Sequence, residues 1–267
     1  MIDKKLAIAI LSCDKYSDLW EPFFHCFFEA WPDCPYNIYL ETNSLTFNDD
    51  RVISIPVGQD ETWSKSLKQF LEKIPESHTL IFLEDIFLTK TIKTSKIHHL
   101  FEKTLELDAT YFRLRPVPLP DKIVQSGIGE LAPNAMWRTA VAFSIWNNER
   151  FKDLIVDEEN AWDFDIGSYT RSSHDPSFFG TTKVVFPFIH GVQKGKWFPW
   201  SYLRMKIKKA PISKARPIMN RIEATRSAID FCITFTFQVI PGRYQPFIQT
   251  KIKSLWHRVR PKREVHG

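Results

Sequence analysis

The period of the apolar positions changes several times along the chain, and each change marks an element. "KLAIAIL" (5–11) is apolar without a break from Leu6 and closes on "SCDKYSD", the pattern of a strand buried on both faces, then a loop and a helix beginning near Ser17. "DLWEPFFHCFFEAW" (18–31) is apolar all round, as suits a helix pressed against a sheet. "YNIYLETN" (36–43) and "RVISIPV" (51–57) stop on polar or turn residues and predict strands. In "TWSKSLKQFLEKI" (62–74), Trp63, Leu67, Phe70, Leu71 and Ile74 recur at helical spacing and make one stripe, and "TLIFLED" (79–85) predicts the next strand. Further on come a helix in "SKIHHLFEKTLEL" (95–107), a strand running into a proline-rich loop in "ATYFRLRPVPLP" (109–120), a strand in "AMWRTAVAFSIW" (135–146) and a helix in "NERFKDLI" (148–155). Alternating strands and helices predict a doubly wound α/β sheet, in which ligands collect beyond the carboxyl ends of the strands.

One such end is chemically distinctive. "HTLIFLEDIFLTK" (78–90) is a greasy strand that reaches two adjacent carboxylates, Glu84 and Asp85, and then turns greasy again. Neighbouring side chains on a strand point to opposite faces, but where the strand gives way to a loop both can reach one site. Such a site suits a hard cation, Mg²⁺ or Mn²⁺, held by one or two carboxylates and substrate phosphates. The plainer alternative is that Asp85 caps a turn and Glu84 pairs with a lysine.

Two more stretches carry candidate chemistry. In "AWDFDIGSYTRSS", Asp163 and Asp165 stand two apart between aromatic residues, on one face if the stretch is extended. Aromatic surroundings raise a carboxylate's pKa and make it a candidate general base; a sugar-hydroxyl acceptor or a solvated loop fits the same residues. In "IHGVQKGKW" (189–197), His190, Lys194 and Lys196 could donate to a diphosphate, with Gly191 and Gly195 letting backbone come close. The alternative there is a basic hairpin turn. Cys13 and Asp14, just after the first strand, and Trp63 are further candidate nucleotide contacts. Serine-hydrolase, phosphate-loop, zinc-protease and dinucleotide fingerprints are absent, and "SGIGEL" (126–131) is a glycine turn.

Composition adds three points. With 267 residues, 43% apolar and 14% aromatic, the chain can bury a full core. Cys13, Cys26, Cys34 and Cys232 show no metal spacing and read as reduced thiols; no apolar run is long enough for a signal peptide or a membrane span, so the expected location is the cytoplasm. The net charge of +5 is lopsided: residues 206–267 hold 14 Lys+Arg against 3 Asp+Glu, leaving 22 against 28 in residues 1–205. That basic tail, interleaved with Trp, Ile, Leu and Met, suits an anionic membrane surface, or nucleic acid, though no nucleic-acid motif accompanies it. The apolar run 228–240 could pack on the body, on a bilayer or on a second copy in a homodimer.

Taken in order, "KLAIAILSCDKYSDLWEPFFHCFFEAWPDCPYNIYLETN", "ETWSKSLKQFLEKIPESHTLIFLEDIFLTK", "YFRLRPVP", "AWDFDIGSYTRS" and "IHGVQKGKW" resemble bacterial glycosyltransferase-like proteins of polysaccharide and lipopolysaccharide gene clusters. The resemblance covers about residues 4–200. It implies a GT-A-like, Rossmann-type mixed sheet flanked by helices over residues 1–205, binding a nucleotide sugar, with residues 206–267 as a basic, mostly helical extension. It further implies a divalent metal on Asp85, with Glu84 as partner in place of the family's Asp-x-Asp. Asp165 would be the base that deprotonates a glycan or lipid-linked acceptor, Asp163 standing at the family's variable position, in an inverting transfer. The departure at Glu84-Asp85 leaves a second expectation open, a binding or scaffold protein without turnover.

Overall fold

The computed structural model describes residues 5–238 apart from 60, 134, 214 and 215, together with 240, 244 and 245. The basic stretch 250–263 and part of the apolar run 228–240 lie outside the described residues. The first half runs β1 (Leu6–Leu11), a 3-10 turn (Asp14–Leu19), α1 (Trp20–Ala30), β2 (Ile38–Thr42), β3 (Val52–Pro56), α2 (Trp63–Glu72), β4 (His78–Leu83), β5 (Ile86–Leu88) and α3 (Thr94–Glu106). The second half adds β6 (Tyr111–Arg113), β7 (Lys122–Gln125), β8 (Ile128–Glu130), β9 (Ser144–Asn147), α4 (Asn148–Leu154) and α5 (Ala161–Arg171). It continues through β10 (Phe178–Thr181), β11 (Phe188–His190), β12 (Val192–Gln193), β13 (Lys196–Trp197), α6 (Pro199–Ile207) and α7 (Arg221–Gln238).

Nine strands form one mixed sheet in the order β3-β2-β1-β4-β9-β6-β10-β8-β7. β3, β2, β1 and β4 are parallel, and β9 is inserted antiparallel between β4 and β6. The chain winds outward from β1 to β3 and then returns to place β4 on the other side of β1, so the switch point lies between the carboxyl ends of β1 and β4.

Unbroken apolar runs become central strands here because both faces of the sheet are covered. Alternate residues feed two cores. Ile8, Ile10, Leu40, Leu80 and Phe82 pack under α1 and α3, where Phe23, Phe27 and Trp31 form an aromatic ladder. Ala7, Ala9, Tyr39 and Ile81 meet Leu67, Phe70, Phe151 and Phe164 of α2, α4 and α5 on the other face.

Two expectations give way. The helix expected near Ser17 begins as the 3-10 turn, and regular α-helix starts at Trp20. Of the strand expected over 135–146, only Ser144–Asn147 pairs. The preceding residues form turns because buried Arg138 donates to the carbonyls of Leu131, Ser172 and Asp175, while the Tyr111 hydroxyl donates to the Ala140 carbonyl (2.7 Å). Arg138 ties the segment to its neighbours, while the turn backbone itself is satisfied without a strand ladder by Tyr111, by Arg113 donating to the Trp137 carbonyl (2.8 Å) and by turn bonds such as the Arg138 amide to the Ala135 carbonyl (3.1 Å).

The chain beyond residue 205 is tied to the body. Arg216 makes a bidentate pair with Asp18 (2.6 and 2.9 Å), Lys208 pairs with Glu29 (2.5 Å), and Trp197 is bridged in parallel to Ile218.

Candidate functional site

β4 delivers Glu84 and Asp85 to the switch point in a tight turn before β5. The turn is locked from outside: the Asp85 carbonyl accepts from the Gly191 amide (2.7 Å), and β5 pairs antiparallel with β11, setting His190 against Ile86. These backbone contacts hold the turn in place. Glu84 is only 8% exposed, and burial pushes its pKa well above the usual carboxylate range, with Asp85 and Glu41 adding like charge. Burial likewise raises Asp85 to about 6. Two carboxylates crowded out of water and toward their neutral forms mark a place short of positive charge.

The chain supplies part of that charge. Arg216 lies within electrostatic reach of both carboxylates and stacks 4.7 Å over the Tyr16 ring while holding Asp18. Tyr16 has its pKa raised, by burial first and then by Glu84. The donor set fits a hard divalent cation, since carboxylate oxygens from one turn leave most coordination positions to diphosphate oxygens and water. Among the described residues no group of three Asp, Glu, His or Cys converges into a protein-only cage.

Asp14 is committed elsewhere. Its carboxylate accepts from the amides of Asn43 (2.9 Å), Ser44 (3.0 Å) and Leu45 (3.2 Å) and from the Ser44 hydroxyl (2.7 Å), which ties the loop after β1 to the loop after β2. Burial works to raise its pKa, but these bonds together hold it below the ordinary value. Cys13 stands at the start of the 3-10 turn, and its carbonyl accepts from the Tyr16 amide (2.9 Å). Trp63 opens α2 and packs its ring on Phe164 of α5 (5.5 Å).

Asp163 and Asp165 part company. The stretch is helical, not extended, so residues two apart point to nearly opposite sides. Asn160 caps α5, accepting from the amides of Trp162 (2.9 Å) and Asp163 (3.0 Å) and donating to the exposed Asp163 carboxylate (2.6 Å). Asp165 turns inward to within electrostatic reach of Tyr111 on β6. It makes no hydrogen bond or ion pair among the described residues, and burial alone raises its pKa to about 7.

The stretch 189–197 is a hairpin, with Lys194 (φ 52°) and Gly195 (φ 74°) both left-handed at its turn. Lys194 is exposed, whereas Lys196 pairs with Glu223 of α7 (2.5 Å). Gly191 is required by packing, since a Cβ there would lie 2.1 Å from a Phe87 ring carbon. His190 sits between Phe188 (5.3 Å) and Phe231 (5.4 Å). Burial, with Arg115 nearby, lowers its pKa to about 4, so it brings no positive charge at neutral pH.

Three residues escaped the sequence reading. Glu41, next to last in β2, lies within reach of Glu84 and carries a similar sign in the sequence, a carboxylate near the end of an apolar strand. Arg115 follows β6 and lies 5.1 Å over the Phe188 ring. It is half-buried, has no hydrogen bond or ion pair among the described residues, and its pKa is drawn down to about 10 by burial and by Arg113. An unpaired, desolvated guanidinium is a ready donor to an anion. Arg216, the third, has no local signal.

No family model matches the chain, and no curated protein matches it. Among solved structures, S. aureus TarS 1–349 in complex with UDP aligns over 94% of this chain and 75% of its own, at 13% identity and a TM-score of 0.48. Another structure of S. aureus TarS 1–349 aligns over 67% of this chain at 11% identity and a TM-score of 0.42; the alignment spans 60% of that structure. The bifunctional IspDF from Campylobacter jejuni aligns over 62% of this chain and 47% of its own, at 11% identity and a TM-score of 0.36. These are likenesses of backbone arrangement at low identity.

Proposed function

We propose that this chain is a glycosyltransferase that moves a sugar from a nucleotide-sugar donor to a surface-polysaccharide acceptor, lipid-linked, with inversion at the sugar carbon. The observation that carries the reading is the desolvated Glu84-Asp85 pair at the switch point of the sheet, where an open α/β sheet takes its ligands. Asp85, with Glu84, would hold a Mn²⁺ or Mg²⁺ ion, and such an ion when bound offsets the charge of a departing diphosphate.

The chain's own groups divide the remaining work. Arg216, fixed by Asp18 and Tyr16, holds positive charge beside the acidic pair. Arg115 offers an unpaired guanidinium to an anionic group of donor or acceptor. In the transfer the acceptor oxygen bonds to the anomeric carbon, the bond from that carbon to the diphosphate breaks, and the acceptor's proton goes to Asp165. A carboxyl near pKa 7 is poised for that proton at neutral pH.

The test is a thermal-shift screen of UDP, GDP, dTDP and CMP with Mn²⁺, followed by assay of the matching nucleotide sugars with and without glycan acceptors. One nucleotide should raise the melting temperature in a metal-dependent way, and its sugar should be transferred. If none stabilises the protein, the reading fails; binding without turnover would leave a nucleotide-sugar-binding protein instead.

A further inference from the structure

We infer that the outward face of α6 is a docking surface for an anionic phospholipid bilayer. The helix is anchored on its inner side: Met205 is fully buried with its sulfur 3.5 Å from the Cys26 thiol, and the Ser201 hydroxyl donates to the His190 carbonyl (2.6 Å). A surface helix of a soluble domain normally turns one apolar stripe inward and leaves the other side polar. α6 breaks that rule. Trp200, Leu203 and Ile207, spaced at i, i+3 and i+7, are 82%, 47% and 73% exposed. With Arg204 and Lys208 they line a shallow depression of about 410 Å³.

The charge around this stripe names the partner. From Pro199 to Ile222 the chain has seven Lys+Arg and no Asp or Glu. Arg204 and Lys209 are exposed and have no hydrogen bond or ion pair among the described residues, and Lys206 is exposed above the Tyr202 ring (5.5 Å). An indole and two aliphatic side chains beside the exposed cations Arg204, Lys206 and Lys209 match the boundary of a bilayer, where the apolar groups enter the acyl region and the cations meet lipid phosphates. Nucleic acid would use the cations but leave the aliphatic stripe in water. No described helix is long and apolar enough to cross a membrane, so this contact lies on the surface. The surface extends the membrane expectation from the basic tail to a helix largely ahead of residue 206, and it stands whether or not the chain transfers sugar.

The experiment is sedimentation of the full chain with phosphatidylcholine vesicles prepared with and without phosphatidylglycerol. The wild-type protein should partition onto the anionic vesicles and not onto the neutral ones. Changing Trp200→Ser, Leu203→Ser and Ile207→Ser together should weaken partition at least about tenfold, with thermal melting unchanged because all three side chains already face solvent. Trp200→Ser alone should move in the same direction, and Arg204→Glu with Lys209→Glu should remove the preference for anionic lipid. Partition of the triple variant at wild-type strength would overturn the assignment, as would a wild-type protein that ignores both vesicles. A wild-type protein that dimerises while the triple variant stays monomeric would also overturn it, making a second copy the occupant.

Discussion

Asp165 holds an ionisable group largely out of water, with no hydrogen bond or ion pair among the described residues to stabilise its charge, an arrangement that costs stability. Its folded pKa, about 7, lies above its ordinary 3.8, so the folded chain keeps the proton longer than the unfolded chain. Stability therefore falls as pH rises between those values and stays low above them. Asp165→Asn should abolish transfer yet raise the melting temperature at pH 8 by about 2–4 °C; a variant that melts lower would assign Asp165 to the core instead. If Asp165 is the base, transfer by the wild-type protein should climb with pH through about 7 as its carboxyl ionises, and a flat profile across that range would remove it from the role. Arg115→Ala should cost about 10²-fold in kcat/KM while moving melting little, since the stacking lost on Phe188 is offset by removal of a desolvated charge. Glu84 and Asp85 were legible because a strand's period ends on them. Arg216 was not, because its partner Asp18 lies 198 positions away and nothing in "KARPIMN" announces the return.

At the scale of elements, local patterns predicted well where burial was symmetric and poorly where one buried side chain organised a turn. β1, β2 and β4 follow directly from apolar runs, and α2 from its stripe and its Thr62 cap, whose hydroxyl accepts from the Lys65 amide (3.2 Å). α5 was readable too: Asn160 just ahead of "AWDF" is a helix cap, and its signal competes with the two-residue spacing of Asp163 and Asp165. Asn160→Ala should cost about 1 kcal/mol in urea unfolding, and it should lower activity if the pitch of α5 sets where Asp165 points. The region 135–143 was not readable, because its turns depend on Arg138 reaching carbonyls distant in sequence. In the 189–197 hairpin, Gly191→Ala must displace the Phe87 ring, an overpacking worth about 1–3 kcal/mol. Urea unfolding would measure it, and a neutral outcome would mean that ring can yield.

Across the whole molecule, a parallel half and a mixed half meet at β9, and candidate groups are linked through shared neighbours. Asp85 lies beside the Ile86–His190 pair, His190 is near Arg115, and Arg115 and Asp165 both act on Tyr111. The change in charge near residue 206 was visible in the sequence, but the contacts across it were not. Arg216, Lys208 and Ile218 bind the body, so a chain cut after residue 205 should melt well below the full chain. The central claim is that Glu84-Asp85 is where a metal and the donor diphosphate meet. Crystals grown with Mn²⁺ and the nucleotide selected by thermal shift, measured for manganese anomalous scattering, test it most directly. The account predicts one anomalous peak between the Asp85 carboxylate and the diphosphate; a peak elsewhere, or a nucleotide bound away from β1 and β4, would contradict it.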